Sequence, residues 1–315
     1  MRLIDRVVNA SQQIELTDGT GQSHVVTGVG AKSATIKGCE LRYILDRTAS
    51  DECMKLVLNS NNGLLSPDNS LLRLPAETFW IEWFGMAPQQ FKSGMLVETA
   101  ENGRRGLLTG YFQSEHDRAD KVGACVEFDL DGLARSGSSI GMTHANCAHL
   151  NDLLSCAYLH LDPSWHRYFR ARPVGTYDRT AADVAEHCWY FLPMACAFAA
   201  MLNSPDILVE TRSNLERLNL ARKRRGNEPL LDHIEVSMRL GQYRANAGQG
   251  DLLHQKNSPR LHHVRGHFVH RAGKTFWRSA HLRGDAERPI TQKTVSVRGA
   301  DRSSPSRVAA LSQLG

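Results

Sequence analysis

Across 315 residues no apolar run is long enough to cross a membrane. The longest, Cys188 to Leu202, has 15 residues and is interrupted by Pro193, whereas a spanning helix needs about 18 or more. No CxxC pair and no HExxH occur, nor does a GxxxxGKS/T or GxGxxG loop, and Gly28-Val29-Gly30 alone is too little to cradle a phosphate. The start, Met1-Arg2-Leu3-Ile4-Asp5-Arg6, lacks the apolar core and small-residue cleavage site of a secretory signal. These absences argue against membrane-spanning, zinc-module and nucleotide-loop proteins. The seven cysteines (Cys39, Cys53, Cys125, Cys147, Cys156, Cys188 and Cys196) are odd in number and lie in apolar surroundings, so they are expected as reduced, mostly buried thiols in a cytoplasm.

What is present is an ordinary globular balance, 41% hydrophobic and 23% charged residues, ample for a sizeable core. The net charge of +5 hides an asymmetry. Residues 211–315 hold 20 Lys and Arg against 8 Asp and Glu, leaving 18 basic and 25 acidic residues for positions 1–210. A basic C-terminal third attracts phosphate backbones or acidic protein surfaces.

Residues 1–210 read as a mixed α/β domain. The helical period is clearest from Cys39 to Leu58, and that region closes in the turn cluster Asn59-Ser60-Asn61-Asn62-Gly63. Over about 77–143, β-branched and aromatic runs separated by turn residues predict five strands, Thr78–Trp83, Met95–Thr99, Gly106–Phe112, Ala124–Leu130 and Ser138–Met142. The hairpin-like links Ala100–Gly103 and Asp129–Gly132 make an antiparallel meander the economical topology. Over about 145–203 a period of 3.6 returns, with stripes Cys147, Leu150, Leu154, Tyr158 and Val184, Cys188, Leu192, Cys196, the second capped by Thr180 and Asp183.

Residues 211–298 form a basic module: a helix from Arg212 to Arg225 stopped by Gly226, a strand over 233–240, a Gly-, Asn- and Gln-rich loop over 241–259 and a β-hairpin over 261–283. Residues 299–315 read as a disordered tail. The fold class is therefore α+β, with an antiparallel N-terminal sheet, a central helical layer and a basic C-terminal β-hairpin module.

Several residue groups invite a chemical reading and do not sustain it. His144, Cys147, His149, Cys156 and His160 have the right donor types for zinc, but their spacing matches no zinc module and helix geometry scatters them. In Glu186-His187, without HExxH, the lone His187 reads as a satisfied core residue, and Glu82, sharing a strand face with Trp80 opposite Phe79, Ile81 and Trp83, reads as facing solvent or an edge.

The informative segment is Leu261 to Gly284. Alternation puts His263, Arg265, His267 and Arg271 on one face and His262, Val264, Phe268 and His270 on the other, and an even loop sets Trp277 opposite Phe268 and Arg278 opposite His267. Close cations repel one another unless an anion sits among them. The candidate binding residues are therefore Arg222, Lys223, Arg224, Arg225, His262, Arg265, Gly266, His267, Arg271, Lys274 and Arg278, with RNA or a ribosome-like polyanion as the partner. No catalytic residue, metal ligand or cofactor is expected. Two alternatives stay open: RNA cleavage by paired histidines, and a virion structural or accessory role.

The pattern His262, Arg265, Gly266, His267, Phe268, then Gly273, Lys274, Trp277 and Gly284 resembles a C-terminal signature widespread in phage and prophage proteins. Leu218-Asn219 to Arg222-Lys223-Arg224, Gly226 and Pro229-Leu230, and the Leu74-Pro75 entry to the Phe79–Trp83 strand, also fit. One branch of that family looks like the anti-CRISPR proteins directed against the type V-A effector nuclease, which lower effector production by recognising the effector during its synthesis and promoting loss of its message. The resemblance implies a phage counter-defence or host-takeover protein whose partner is a host defence protein or its translating complex, acting in the host cytoplasm and away from membranes.

The hairpin register makes one prediction. If Phe268 and Trp277 are structural partners, worth about 0.5–1.5 kcal/mol beyond their area burial, Trp277→Ala lowers the melting temperature clearly; wild-type stability with lost binding would reverse the assignment of faces.

Overall fold

The computed structural model describes residues 2–58, 63–85, 91–100, 103–113, 118–132, 140–142, 147–171, 183–204 and 207–238, with the backbone of four C-terminal strands and the side chain of Arg278. The elements in chain order begin with α1 (Leu3–Val8), β1 (Gln13–Thr17), β2 (Ser23–Thr27), α2 (Ser33–Gly38), β3 (Leu41–Leu45) and α3 (Arg47–Leu58). Then come β4 (Thr78–Phe84), β5 (Lys92–Ala100), β6 (Arg105–Gln113), β7 (Ala119–Asp129), β8 (Ile140–Gly141), α4 (Asn151–Leu154), β9 (Ala157–Leu161) and α5 (Pro163–Arg170). A helix α6 (183–188) precedes α7 (Phe191–Leu202), β10 (Leu208–Arg212), α8 (Glu216–Arg224), β11 (Ile234–Met238), β12 (His262–Val264), β13 (His267–Arg271), β14 (Lys274–Arg278) and β15 (His281–Arg283). The fold is α+β, and among the described residues no helix is long and apolar enough to cross a membrane.

The chain forms two compact units, Met1–Leu240 with Gly266–Ser279, and Gly241–Arg265 with Ala280–Gly315. The first is built on a nine-stranded sheet in the order β10-β11-β3-β4-β5-β6-β7-β9-β8. The meander β4 to β7 is antiparallel as the turn residues predict. Two features differ from expectation. β3 lies in the sheet, parallel to both β4 and β11, where the helical period predicts helix from Cys39 onward. Leu41–Leu45 is instead extended, and Asp46 ends it and opens α3, its carboxylate accepting from Ala49 N at 2.7 Å. The stripe ending in Tyr158 also breaks: only Asn151–Leu154 is α-helical, and β9 follows and pairs with β7. Ala157 and Leu159 are buried while Tyr158 and His160 are not, a period of two that displaces the expected fifth meander strand. Ile140–Gly141 therefore pairs with β9 and not with β7.

Both faces of the central strands are covered. On one, Phe79, Ile81 and Trp83 of β4 pack with α3 and α7 in the main core. Every α7 residue from Phe191 to Met201 is buried, and Pro193 is tolerated there because it falls in the first turn, where its missing N–H has no intrahelical partner to lose. On the other face Trp80, Leu96 and Tyr111 pack with Leu3, Ile4, Val7 and Val8 of α1 and Ile36 of α2. Aromatic rings reach the sheet by replacing Cβ atoms: Trp80 lies over Gly94 and Phe191 over Gly110, and in both places an added methyl would overlap the ring.

Glu82 corrects the expectation of a solvent-facing residue. It is 1% exposed. Its two carboxylate oxygens accept the N–H groups of Leu3 and Ile4 at 3.1 and 3.0 Å, and the Lys92 ammonium lies 3.6 Å away. These N–H groups open α1 and have no intrahelical acceptor, so a carboxylate reaching them from the sheet satisfies both parties. Glu82→Gln keeps one acceptor and loses the charge, whereas Glu82→Leu leaves both N–H groups buried and unpaired. At about 1–3 kcal/mol per stranded group, urea denaturation is expected to show a moderate loss for the first and a larger one for the second.

Candidate functional site

The cations singled out in the sequence fall into two described groups. Arg222, Lys223, Arg224 and Arg225 sit at the C-terminal end of α8, where they complement the helix dipole. The helix is shorter than its sequence suggests because Leu208–Arg212 forms β10, and the divide in charge after Glu210 falls inside that strand. Gly226 ends α8 at φ +71, donating to Lys223 O at 3.0 Å while Asn227 N donates to Arg222 O at 3.0 Å.

No residue of α8 is buried. The side turned to the body carries Asn219, whose carboxamide donates to Leu230 O at 2.9 Å and accepts from Leu230 N at 2.8 Å. Arg222 Nε donates to Glu228 O at 2.8 Å, so its guanidinium is partly committed. Lys223, Arg224, Arg225 and also Arg217 are exposed, and between them stand Leu218 at 48% and Leu220 at 59% exposure. A helix that stays folded while burying none of its own residues owes its position to the clip at Asn219 and to its stem.

The stem is held by α1. Leu231 N donates to the buried carboxylate of Asp5 at 3.1 Å, and Arg2 Nε donates to that carboxylate at 2.8 Å. The Arg2 guanidinium also lies against the ring of His233, which is 8% exposed and whose backbone N–H donates to Ser213 Oγ at 3.0 Å. Burial first and Arg2 second push the His233 pKa below the ordinary histidine value, with Glu235 opposing them.

The second group lies on the C-terminal strands. β13 pairs antiparallel with β14 in the expected register, Phe268 opposite Trp277, His267 opposite Arg278 and Arg271 opposite Lys274. β12 pairs with β15, placing His262 opposite Arg283. The Arg278 side chain is exposed. Arg265 and Gly266, the side chains of His262, His267, Arg271 and Lys274, the loop over 241–259 and the tail over 299–315 lie outside the described residues, as do Thr180, His144 and the cluster Asn59–Asn62.

The other chemical candidates are committed elsewhere. His149 bonds to Val57 O at 2.9 Å, the Cys156 thiol donates to Asp152 O at 3.4 Å, and Cys147 is buried in the main core. Among the described residues no group of three or more His, Cys, Asp or Glu is placed to hold a metal ion. His187 is exposed, not the core residue expected, and bonds to Asp183 O at 2.6 Å, and Glu186 beside it is exposed too. All seven cysteines are free thiols, Cys125 half-buried and the rest buried, and burial raises the pKa of every one, that of Cys188 to about 12.

A cluster missed in the sequence joins β2 to α5. Ser164 Oγ and Thr27 Oγ1 both donate to Asp162 at 2.6 and 2.9 Å, and Thr27 N donates to Ser164 Oγ at 2.8 Å. Burial would raise the Asp162 pKa, but the hydroxyls of Ser164 and Thr27 outweigh it and hold the carboxyl below its usual range. With Ser164 already engaged as donor and acceptor, this is a helix cap, foreshadowed by the sequence Asp162-Pro163-Ser164. No protein-family model, curated protein or solved structure matches the chain.

His233 gives this region a pH dependence. Because its folded pKa lies below 6.5, the unfolded chain binds more protons as pH falls from that value towards the folded pKa. Its contribution to stability is therefore complete above about pH 6.5 and shrinks through the acid side. Melting temperatures of wild type and His233→Gln across that range are expected to converge towards low pH.

Proposed function

We propose that the chain is a non-catalytic, phage-derived counter-defence protein that grips a polyanion, in the first place single-stranded RNA, through the exposed face and C-terminal end of α8 and the basic C-terminal hairpin. One observation carries this reading: α8 buries none of its residues and ends in Arg222-Lys223-Arg224-Arg225. Solvated like charges set side by side along a helix end repel one another, and a phosphate chain relieves that repulsion while releasing its own counterions. Leu218 and Leu220 add apolar surface on which bases or ribose can rest. The like-charged register positions His267 opposite Arg278 and Arg271 opposite Lys274 support the same partner.

The counter-defence role rests on the C-terminal signature from His262 to Gly284, and the polyanion then belongs to the complex in which a defence protein is made. Arg265 and His267 serve in this reading as binding groups and transfer no proton. The buried, protonated thiols support a binding role, since a thiol held above its usual pKa is a poor nucleophile.

Fluorescence anisotropy with labelled single-stranded RNA tests this. Affinity is expected to fall with salt at a log-log slope of about −0.7 per phosphate contact. Reversing Lys223, Arg224 and Arg225 to Glu together is expected to flatten that slope while leaving the melting temperature unchanged. Salt-independent binding, or a triple variant that binds like wild type, would overturn the proposal, as would RNA cleavage lost in His267→Gln with affinity intact.

A further inference from the structure

The nine-stranded sheet ends at β10, and among the described residues nothing pairs with the far side of that strand. Four of its five side chains are exposed, including Val209 at 37%. The direction of its peptide groups is fixed by two bonds. Ser213 N donates to His233 O from the β10 side, and Asp46 N donates to Val236 O from the β3 side. Odd residues of β11 therefore bond towards β10 and even ones towards β3. In the antiparallel β10–β11 register, Val209 and Thr211 then turn their N–H and C=O groups inward, while Leu208, Glu210 and Arg212 turn theirs to the open edge.

Charged residues on an edge strand ordinarily discourage pairing. Here they alternate so as to complement a copy of themselves. Suppose two β10 strands meet antiparallel about a two-fold axis and bond through their outward residues. An axis at Glu210 sets Glu opposite Glu, and one at Arg212 sets Arg opposite Arg. An axis at Val209 sets Glu210 opposite Leu208 and leaves Arg212 beyond the partner's strand. Only the axis at Thr211 sets Glu210 opposite Arg212 of the second copy, on both sides of a Thr–Thr pair, and both kinds of cross-strand pair are favourable.

We propose that the protein forms a two-fold dimer through β10, with Thr211 on the axis and reciprocal Glu210–Arg212 pairs, joining the two sheets edge to edge. The occupant of the edge is a second copy of this chain, whose charge order complements its own about a two-fold axis. The dimer is independent of the RNA-binding reading, and it carries an α8 at each end of the shared ladder, because Ser213, Asn214 and Leu215 lead directly from β10 into that helix.

Sedimentation velocity on the full chain over a dilution series, without RNA, tests this. Wild type is expected to show a concentration-dependent monomer–dimer equilibrium. Glu210→Arg and Arg212→Glu each place like charges opposite one another twice and are expected to raise the dissociation constant roughly tenfold. The double variant Glu210→Arg/Arg212→Glu is expected to recover wild-type association, because it exchanges the partners without removing a pair. Circular dichroism melts confirm that the variants fold. Thr211→Cys is expected to yield a covalent dimer under mild oxidation, since an axial non-hydrogen-bonded pair brings the two side chains closest. A wild type that is monomeric throughout, single reversals that associate like wild type, or a double variant that fails to recover would each overturn the proposal.

Discussion

A carboxylate inside an apolar layer must find compensation or neutralise, and the compensation of Glu82 is the contact from which the placement of the basic helix descends. Glu82 takes up the opening N–H groups of α1. That fixes α1 on the sheet, and α1 presents Asp5 and Arg2 to the stem that carries α8. The route runs from a buried charge on the central strand β4 to an exposed cationic surface, through a six-residue helix. So short a helix would not hold its shape in water alone; the Glu82 cap and the packing of Leu3, Ile4, Val7 and Val8 maintain it.

Much of this was legible in the sequence where the signal was local. Alternating apolar residues and turn formers located β4 to β7, an all-apolar run located α7, Gly226 marked the end of α8, and the hairpin register followed from loop parity alone. The parts that escaped depend on partners distant in the chain. Nothing in Leu41–Leu45 announces that it lies between β11 and β4, because parallel pairing leaves no turn beside it. Glu82 meets α1 from 78 and 79 residues away, so its neighbours in sequence suggest only a polar residue on a strand. β9 escaped for another reason: Cys147, Leu150, Leu154 and Tyr158 fit a helical stripe, and the strand alternation of Ala157 to Leu161 was concealed inside it.

The candidate site was legible as composition and less so as arrangement. The cation run Arg222 to Arg225 is visible in the sequence; that α8 leaves Lys223, Arg224 and Arg225 exposed, with Arg222 half-buried and partly tied down by Glu228 O, is a property of the fold. That Arg217, Leu218 and Leu220 are exposed on the same helix was not legible, since periodicity alone does not say whether leucines spaced among arginines are covered by another part of the fold.

Gly94 and Gly110 lie on neighbouring strands and serve opposite layers, the first seating Trp80 and the second Phe191. Each ring occupies the volume that a side chain would take, so neither partner of a pair can change size alone without a void or an overlap. Across chains that descend from this one, positions 94 and 80 should drift in concert, and so should 110 and 191. A lineage that loses one ring is released to enlarge the facing glycine, and the two layers can diverge independently of each other.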